Sequence, residues 1–339
     1  MKAAIYNGKE NVTIIEKPTP VCGPKDVLLK TICASICGTD VAVYRHGPGT
    51  GHRITPGGEF GHEAVCRVAA VGGQVTGISV GQRVYPYPLL VTGDPKRAGT
   101  IGAFSEYILA PNPRLGVELY PVPEEIDDKT AALIEPFTVG TRAARRAQPK
   151  AGENAVVFGA GTIGIAAAIA LNEFGCEQVM VCDLSELRLE KARDLGFAVC
   201  NMQTDEFAAT AAELFGAAQG LTGPAPDVDI FLDAAGAPDL LKLFQETGKI
   251  GSRMVVVAVL AGERPVDILH MTYAQKALIG SGGYFPEDVR DVLRIMSSGK
   301  YDISSIITHE FPHAALKQAL ETTGRTDQAM NVLIRYGDG

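Results

Sequence analysis

Residues 155–175, AVVFGAGTIGIAAAIALNEFG, contain the pattern that decides the fold of this chain. Gly159, Gly161 and Gly164 have the spacing G-x-G-x-x-G, between an apolar run that predicts a strand and a run of small residues that predicts a helix. A second apolar run, QVMVCD, ends at Asp183, 19 residues after Gly164. This order of strand, turn, helix and strand predicts a βαβ unit that binds a dinucleotide. A βαβ crossover without a ligand is the alternative.

Each position of the glycine motif has a physical role in binding a dinucleotide. Gly159 permits the tight turn, Gly161 lets the backbone approach a pyrophosphate, and Gly164 lets the helix pack close to the strand. Thr162 and Ile163 stand where the helix begins, and a helix N-terminus offers unpaired N–H groups and a positive dipole end to phosphates. These five residues are therefore predicted to bind the cofactor.

Two residues after the motif bear on the choice between NAD and NADP. Asp183 is expected to accept hydrogen bonds from the adenosine ribose hydroxyls and to repel a 2′-phosphate, which favours NAD. Arg188 follows closely, and an arginine either reaches a 2′-phosphate or is simply solvated. Tolerance of NADP therefore stays open.

The composition excludes several other classes of function. The formal net charge is -8 and no block of lysine or arginine occurs, which argues against nucleic acid or an anionic membrane as a partner. The sequence contains no uncharged apolar run of about 18 residues, so no membrane span is predicted. The N-terminus lacks the apolar core of a signal peptide. The seven cysteines are scattered and odd in number, unlike a disulfide framework. We expect a cytoplasmic protein.

The texture of the sequence changes near residue 140. Before it, short β-rich segments are broken at close intervals by glycine and proline, which predicts an irregular β domain. After it, helical stretches alternate with compact apolar strands, as in a parallel sheet covered by helices. RMVVVAVLAGERPVDI, residues 253–268, is interpreted either as an edge strand or as an interior one. The chain is therefore predicted to be an α/β protein.

Four side chains upstream of the glycine motif have the chemistry of zinc ligands. They are Cys37 in SICGTD, His62 and Glu63 in FGHEAV, and Glu135 in ALIEPFTVG. Thiolate, imidazole and carboxylate are the ligand types that zinc takes, and catalytic zinc keeps one position open for water or substrate. Each residue has an ordinary alternative explanation, as a buried cysteine, a turn histidine or a solvated charge. Together they predict a zinc site.

With these residues, the chain resembles a known family, the zinc-dependent medium-chain dehydrogenase/reductases, which form the alcohol dehydrogenase superfamily. The segments that carry the resemblance occur in the family's order: ICGTD, FGHEAV, VGQRV, GAFSEYI, IEPFTVG, GAGTIG, VCDLSELRLEKARDLG, DVDIFLDAAG and IITHEF. Glutamate and proline at 135–136, in place of a cysteine, and DLS at 183–185 are similar to the polyol branch, which includes sorbitol dehydrogenases. The resemblance covers essentially the whole length.

The resemblance implies a two-domain architecture. A GroES-like catalytic domain is expected at residues 1–140 and a Rossmann domain, a doubly wound parallel sheet, at 141–281. A C-terminal segment at 282–339 is expected to return to the catalytic domain. The relatives form homodimers or homotetramers, so a homo-oligomer is expected here too.

The implied function is zinc-dependent and NAD-dependent oxidation of a secondary alcohol of a polyol, sugar or sugar derivative. One alternative is a threonine or butanediol type of dehydrogenase. Ala42 weakens the threonine option, because it stands where those relatives have a proton-relaying histidine. A second alternative is a non-catalytic dinucleotide-binding protein of the same fold.

The resemblance also suggests roles for individual residues. Thr39 is expected to act as general base or proton relay. The charge balance of the site, rather than the resemblance, leads us to expect that Glu63 and Glu135 alternate as zinc ligand, because a thiolate with both carboxylates would outweigh the charge of the dication. The other carboxylate is expected to accept the proton. Tyr44 and His46 follow closely, and either is a candidate for the next member of the relay.

The resemblance suggests three further contacts with the cofactor. Thr138 and Val259 are assigned to the nicotinamide side and Gly236 to the adenosine side.

One metal site of the family is expected to be missing. The family often holds a structural zinc in a lobe with four cysteines, but the matching stretch YPYPLLVTGDPKRAGTI contains none. One catalytic zinc and no structural zinc are therefore expected.

Overall fold

The computed structural model describes residues 1–49, 53–259 and 262–337. The chain forms two compact units, one of Met1–Glu135 with Met296–Gly339 and the other of Pro136–Ile295. The boundaries expected from the sequence were 140/141 and 281/282. Within the second unit, the Arg145 guanidinium donates to the Asp288 carboxylate at 2.7 Å, so residues beyond 281 contact this unit.

The described residues form eighteen strands and ten α-helices. The strands are β1 (Lys2–Gly8), β2 (Asn11–Glu16), β3 (Val27–Ser35), β4 (Gly58–Glu59), β5 (Glu63–Val71), β6 (Arg83–Pro86), β7 (Tyr107–Ala110), β8 (Leu119–Pro121), β9 (Asn154–Phe158), β10 (Gln178–Asp183), β11 (Ala198–Asn201), β12 (Ala217–Gln219), β13 (Pro224–Pro226), β14 (Ile230–Asp233), β15 (Arg253–Val256), β16 (Ala277–Gly280), β17 (Ile307–Pro312) and β18 (Asn331–Arg335). The helices are α1 (Gly38–His46), α2 (Asp128–Ala131), α3 (Ile134–Arg146), α4 (Thr162–Glu173), α5 (Glu186–Asp194), α6 (Phe207–Phe215), α7 (Leu240–Thr247), α8 (Ile268–Tyr273), α9 (Pro286–Ser297) and α10 (Leu316–Thr323). Across the described ranges, every helix is too short or too polar to span a bilayer.

The first unit is built mainly from antiparallel strands. Six strands of its main sheet follow the order β17-β18-β3-β5-β6-β8, with β7 also on β3, and a smaller sheet has the order β2-β1-β4. β18, near the end of the chain, pairs antiparallel with β3, near its beginning. The Phe104 and Phe60 rings meet edge to face in the core, with centroids 4.9 Å apart. The last strands thus complete the sheet that the first part of the chain starts.

The second unit contains a six-stranded sheet in the order β11-β10-β9-β14-β15-β16. All of its neighbouring strands pair in parallel. This is the doubly wound order 3-2-1-4-5-6, whose ligand crevice opens where the order reverses, between β9 and β14. The predicted α/β fold class is confirmed. β15 is an interior strand, and β16 forms the edge of the sheet.

Candidate active site

Three of the four predicted zinc ligands lie together in the first unit. Cys37, His62 and Glu63 each offer one ligand atom, and these atoms lie within 4.8 Å of one another. His62 and Glu63 are buried. A sulfur, an imidazole nitrogen and a carboxylate oxygen at this separation are a donor set that fits one zinc ion with a coordination position left over.

The local backbone explains how these residues meet. Cys37 caps the N-terminus of α1, two residues after β3 ends, and Glu63 begins β5 opposite Ser35, the last residue of β3. Gly61 makes the turn before His62 with φ +87°, and a Cβ at Gly61 would lie 2.7 Å from the Phe104 ring. Only glycine fits this turn without strain and a clash, because other residues rarely adopt that conformation.

The Asp40 carboxylate lies beside the histidine. Its carboxylate accepts a hydrogen bond from the Cys37 backbone N–H at 3.1 Å, and its other oxygen lies 3.6 Å from His62 Nδ1. Nε2 of the same ring lies 3.9 Å from the Glu63 carboxylate. A carboxylate at one ring nitrogen leaves the other to face the donor set, as in many zinc sites. The sequence interpretation missed Asp40, although C-x-x-D resembles a capping box.

A second polar chain reaches the site from the end of the sequence. Asn331, on β18, donates from Nδ2 to the Ser35 hydroxyl at 3.0 Å. The Ser35 hydroxyl in turn bonds to the Glu63 carboxylate, and this bond works to lower the pKa of Glu63. All three side chains are buried. No local pattern connects residues 296 positions apart, so this contact had no signal in the sequence.

The surroundings of the three donors favour their protonated forms. Burial, followed by the nearby Glu135 carboxylate, raises the pKa of Glu63 to about 8. Burial and then Glu63 raise the pKa of the Cys37 thiol to about 11. Burial lowers the pKa of His62, but Asp40 and Cys37 outweigh it, so the pKa lies well above its usual value. A dication bound here would replace these protons.

Glu135 and Thr39 interact with this donor set, whereas Tyr44 bonds to a residue outside it. Glu135 is buried on α3, outside the group of three that the described residues form, but close enough to raise the pKa of Glu63. The Thr39 hydroxyl donates to Cys37 Sγ at 3.1 Å. The Tyr44 hydroxyl donates to Glu321 at 3.3 Å.

In the second unit, the glycine motif joins β9 to α4. Gly159 has φ +100°, and a Cβ there would lie 3.0 Å from the carbonyl carbon of Ala234, which follows β14. A Cβ at Gly164 would lie 1.6 Å from the Gly159 carbonyl oxygen. Gly161 caps α4, and a Cβ there would have only the Arg188 guanidinium within 4 Å, at 3.7 Å. Helix α4 thus begins with Thr162 and Ile163 at the switch point of the sheet, as a dinucleotide site requires.

Asp183 ends β10 beside this turn. Its carboxylate accepts hydrogen bonds from the backbone N–H groups of Ala160, at 2.6 Å, and Ser185, at 2.8 Å. These bonds fix the carboxylate next to the glycine motif. Burial lowers the pKa of Arg188, and Asp183 opposes that shift.

The other predicted cofactor contacts have different environments. Thr138 is fully buried on α3, and Val259 is 83% exposed after β15. Gly236, with φ +74°, follows β14 and donates its N–H to Asp233 Oδ1 at 2.7 Å. Asp233 also accepts from Ala235, so it shapes the turn at the switch point. The sequence interpretation did not identify Asp233. The roles of these residues toward the cofactor stay predictions.

The chain matches known families and proteins along its length. Residues 23–124 match the alcohol dehydrogenase GroES-like domain, and residues 162–298 match the zinc-binding dehydrogenase family. The L-threonine 3-dehydrogenase of Shewanella frigidimarina (strain NCIMB 400) is 28% identical, over 97% of each chain. The structure of 2R,3R-butanediol dehydrogenase from Bacillus subtilis is similar with a TM-score of 0.84 and 26% identity, over 98% of this chain and 99% of that one.

A further similar structure contains a bound cofactor. It is an alcohol dehydrogenase from E. coli CFT073 complexed with NADH, with a TM-score of 0.83 and 25% identity over 99% of each chain. The two family matches together cover most of the chain, and the relatives cover nearly all of it. The chain therefore belongs to the zinc-type medium-chain dehydrogenase/reductase superfamily, and it is an NAD-dependent enzyme of the alcohol dehydrogenase type that acts on a CH–OH group.

Proposed function

We propose that this enzyme interconverts a secondary alcohol of a polyol, sugar or sugar derivative with the corresponding ketone, using one zinc ion per chain. The convergence of Cys37, His62 and Glu63 within 4.8 Å carries this proposal. Glu135 at the start of α3 supports the polyol branch, because that branch has glutamate where others have cysteine. The stretch 85–101 lacks cysteine, which supports a single zinc.

Bound zinc would polarise the alcohol oxygen as a Lewis acid, and bound NAD would accept hydride from the alcohol carbon. Cys37 and His62 would hold the metal. A thiolate with one carboxylate neutralises a dication, whereas two carboxylates would leave one negative charge and weaken the polarisation. Glu63 and Glu135 would therefore alternate as the third ligand, and the carboxylate that does not bind would accept a proton. Thr39, beside Cys37, passes the proton from the alcohol oxygen.

The threonine or butanediol type is the second candidate. The names of the similar proteins favour it, since they include L-threonine 3-dehydrogenase and 2R,3R-butanediol dehydrogenase. Ala42 argues against threonine, because the proton-relaying histidine of those relatives is missing there. A non-catalytic dinucleotide-binding protein would have no reason to keep a buried donor set of this kind.

Reduction of NAD by the purified protein tests the proposal. The substrates are a panel of sugar alcohols, sugars, diols and L-threonine, each with and without a strong chelator, and Cys37→Ser is the matched variant. Turnover of a polyol or sugar that the chelator and the variant both abolish supports the proposal. Turnover of only threonine or a diol favours the second candidate. Chelator-insensitive turnover would overturn the zinc assignment.

We also propose that the chain forms a homodimer or homotetramer. The edge strand β16 carries Leu278, which is 43% exposed, and the nearby helix α8 carries Ile268, Leu269 and Tyr273, each more than 60% exposed. Apolar side chains of this size around an open strand edge favour pairing with a second copy. The cytoplasmic location expected from the sequence stays a prediction.

A further inference from the structure

A cleft in the first unit concentrates positive charge on a chain of net charge -8. Its volume is about 390 Å³, at the small end of the range for ligand sites. We name it the basic cleft. The residues of the basic cleft that carry the argument are Lys17, Arg53, Thr55, Glu59, Lys96 and Arg97. One carboxylate therefore faces four cations.

The single carboxylate is already occupied. Glu59 accepts hydrogen bonds from Lys17 and, at 3.0 Å, from the Ser105 hydroxyl. Among the described residues, no carboxylate forms an ion pair with Arg53, Lys96 or Arg97. Arg53, Lys96 and Arg97 thus place three positive charges on the wall of one cleft without an ion-pair partner among the described residues, and an anion bound there would offset their mutual repulsion.

The fold orders the turn that carries two of these cations and anchors one of them, the Arg97 guanidinium. Asp94 caps a short 3-10 turn at Pro95–Arg97 by accepting from the Lys96 backbone N–H at 2.9 Å. The Arg97 guanidinium donates to the Thr100 carbonyl at 3.3 Å. Both side chains therefore project from an ordered turn, and the Arg97 guanidinium is held in advance, which reduces the entropy that it loses when an anion binds.

The basic cleft lies beside the zinc donor set. Thr100, on its wall, pairs in parallel with Gly61, the residue before His62. With paired strands about 4.8 Å apart and consecutive Cα atoms 3.8 Å apart, the Cα atoms of Thr100 and His62 lie within roughly 9 Å. One wall of the cleft is thus joined through the backbone to the turn that carries His62.

We propose that the basic cleft binds a phosphate group. A phosphate ester carries close to two negative charges at neutral pH and three acceptor oxygens, which match two guanidinium groups and one ammonium better than a single carboxylate does. The phosphate comes either from a phosphorylated polyol or sugar substrate or from free inorganic phosphate acting as an effector. The substrate source rests on the proposed function, whereas phosphate binding itself does not.

Isothermal titration calorimetry of the zinc-loaded protein with inorganic phosphate tests the site directly. Saturating NAD is present, so that the pyrophosphate site is filled. The variants are Lys96→Ala/Arg97→Ala and, separately, Arg53→Ala. The control Lys25→Ala/Lys242→Ala removes the same charge from exposed positions. Wild type and control should bind phosphate alike, and the double variant at least about tenfold more weakly. Equal binding by wild type and both cleft variants, or no saturable binding by wild type, would overturn the proposal.

Kinetics separate the two sources of phosphate. If the substrate carries it, kcat/KM for a polyol phosphate falls at least about tenfold in the double variant, while kcat/KM for the parent polyol stays unchanged. If inorganic phosphate is an effector, it changes turnover of the parent polyol in wild type but not in the double variant. A protein that binds phosphate but turns over no alcohol would refute the proposed function and leave the basic cleft standing.

Discussion

Replacing Asp40 by asparagine removes one negative charge next to His62 and preserves the shape of the side chain. The Asp40 carboxylate is buried, accepts a hydrogen bond from the Cys37 backbone and lies 3.6 Å from His62 Nδ1. An asparagine oxygen can still accept the backbone hydrogen bond, so the cap of α1 survives. The variant therefore tests the charge at the histidine rather than the integrity of the helix.

The expected result is weaker zinc binding. Loss of a carboxylate partner of a zinc-bound histidine typically costs 10-fold to 100-fold in affinity, or about 1.4 to 2.7 kcal/mol. In wild type, Asp40 raises the pKa of His62, so the substitution should lower that pKa. Protons then compete less strongly with zinc for His62 in the variant than in wild type. The deficit should therefore be smaller at low pH, where wild-type His62 is protonated, and larger at high pH.

Zinc affinity of the apoprotein, measured by competition with a chelator over a range of pH, checks this expectation. Asp194→Asn, at a position that is 58% exposed, is the matched control and should bind zinc like wild type. Thermal unfolding of the apoproteins verifies that both variants fold. Equal zinc affinity in wild type and Asp40→Asn, or a deficit that shrinks as pH rises, would refute the assignment of Asp40 as the positioning residue.

Three other predictions concern the Cys37 thiol, the turn at Gly61 and the edge strand β16. Because the pKa of Cys37 is about 11, zinc binding at pH 7 should release a proton from its thiol and strengthen as pH rises; calorimetry in buffers of different ionisation enthalpy measures this, and no proton release would contradict it. Gly61→Ala should destabilise the protein by about 1–3 kcal/mol more than Gly57→Ala in chemical unfolding. Both have φ near +90°, but only Gly61 would clash with the Phe104 ring, so equal losses would count against that contact. Leu278→Lys on the edge strand should lower the mass measured in solution by light scattering; an unchanged mass would place the interface elsewhere.

The sequence alone determined the parts of this protein that depend on neighbouring residues. The turn from β9 to α4 was predictable because Gly159 and Gly164 meet a local steric demand: positive φ in one case and a 1.6 Å approach to a carbonyl oxygen in the other. The alternation of strands and helices likewise predicted the parallel sheet. The residue types of the predicted zinc ligands were visible too, because their chemistry is a property of single side chains.

The tertiary structure decided which side chains converge. Asn331 reaches Glu63 through Ser35 only because β18 pairs with β3, at a separation that no periodicity spans. The basic cleft gathers Lys17, Arg53 and the turn at Lys96 from three separate segments. Sequence periodicity reports which face of an element is buried, whereas strand order and register bring distant side chains within a few ångströms. The bonds from Asn331 and Ser35 to the predicted metal site and the charge of the basic cleft therefore depend on the tertiary structure.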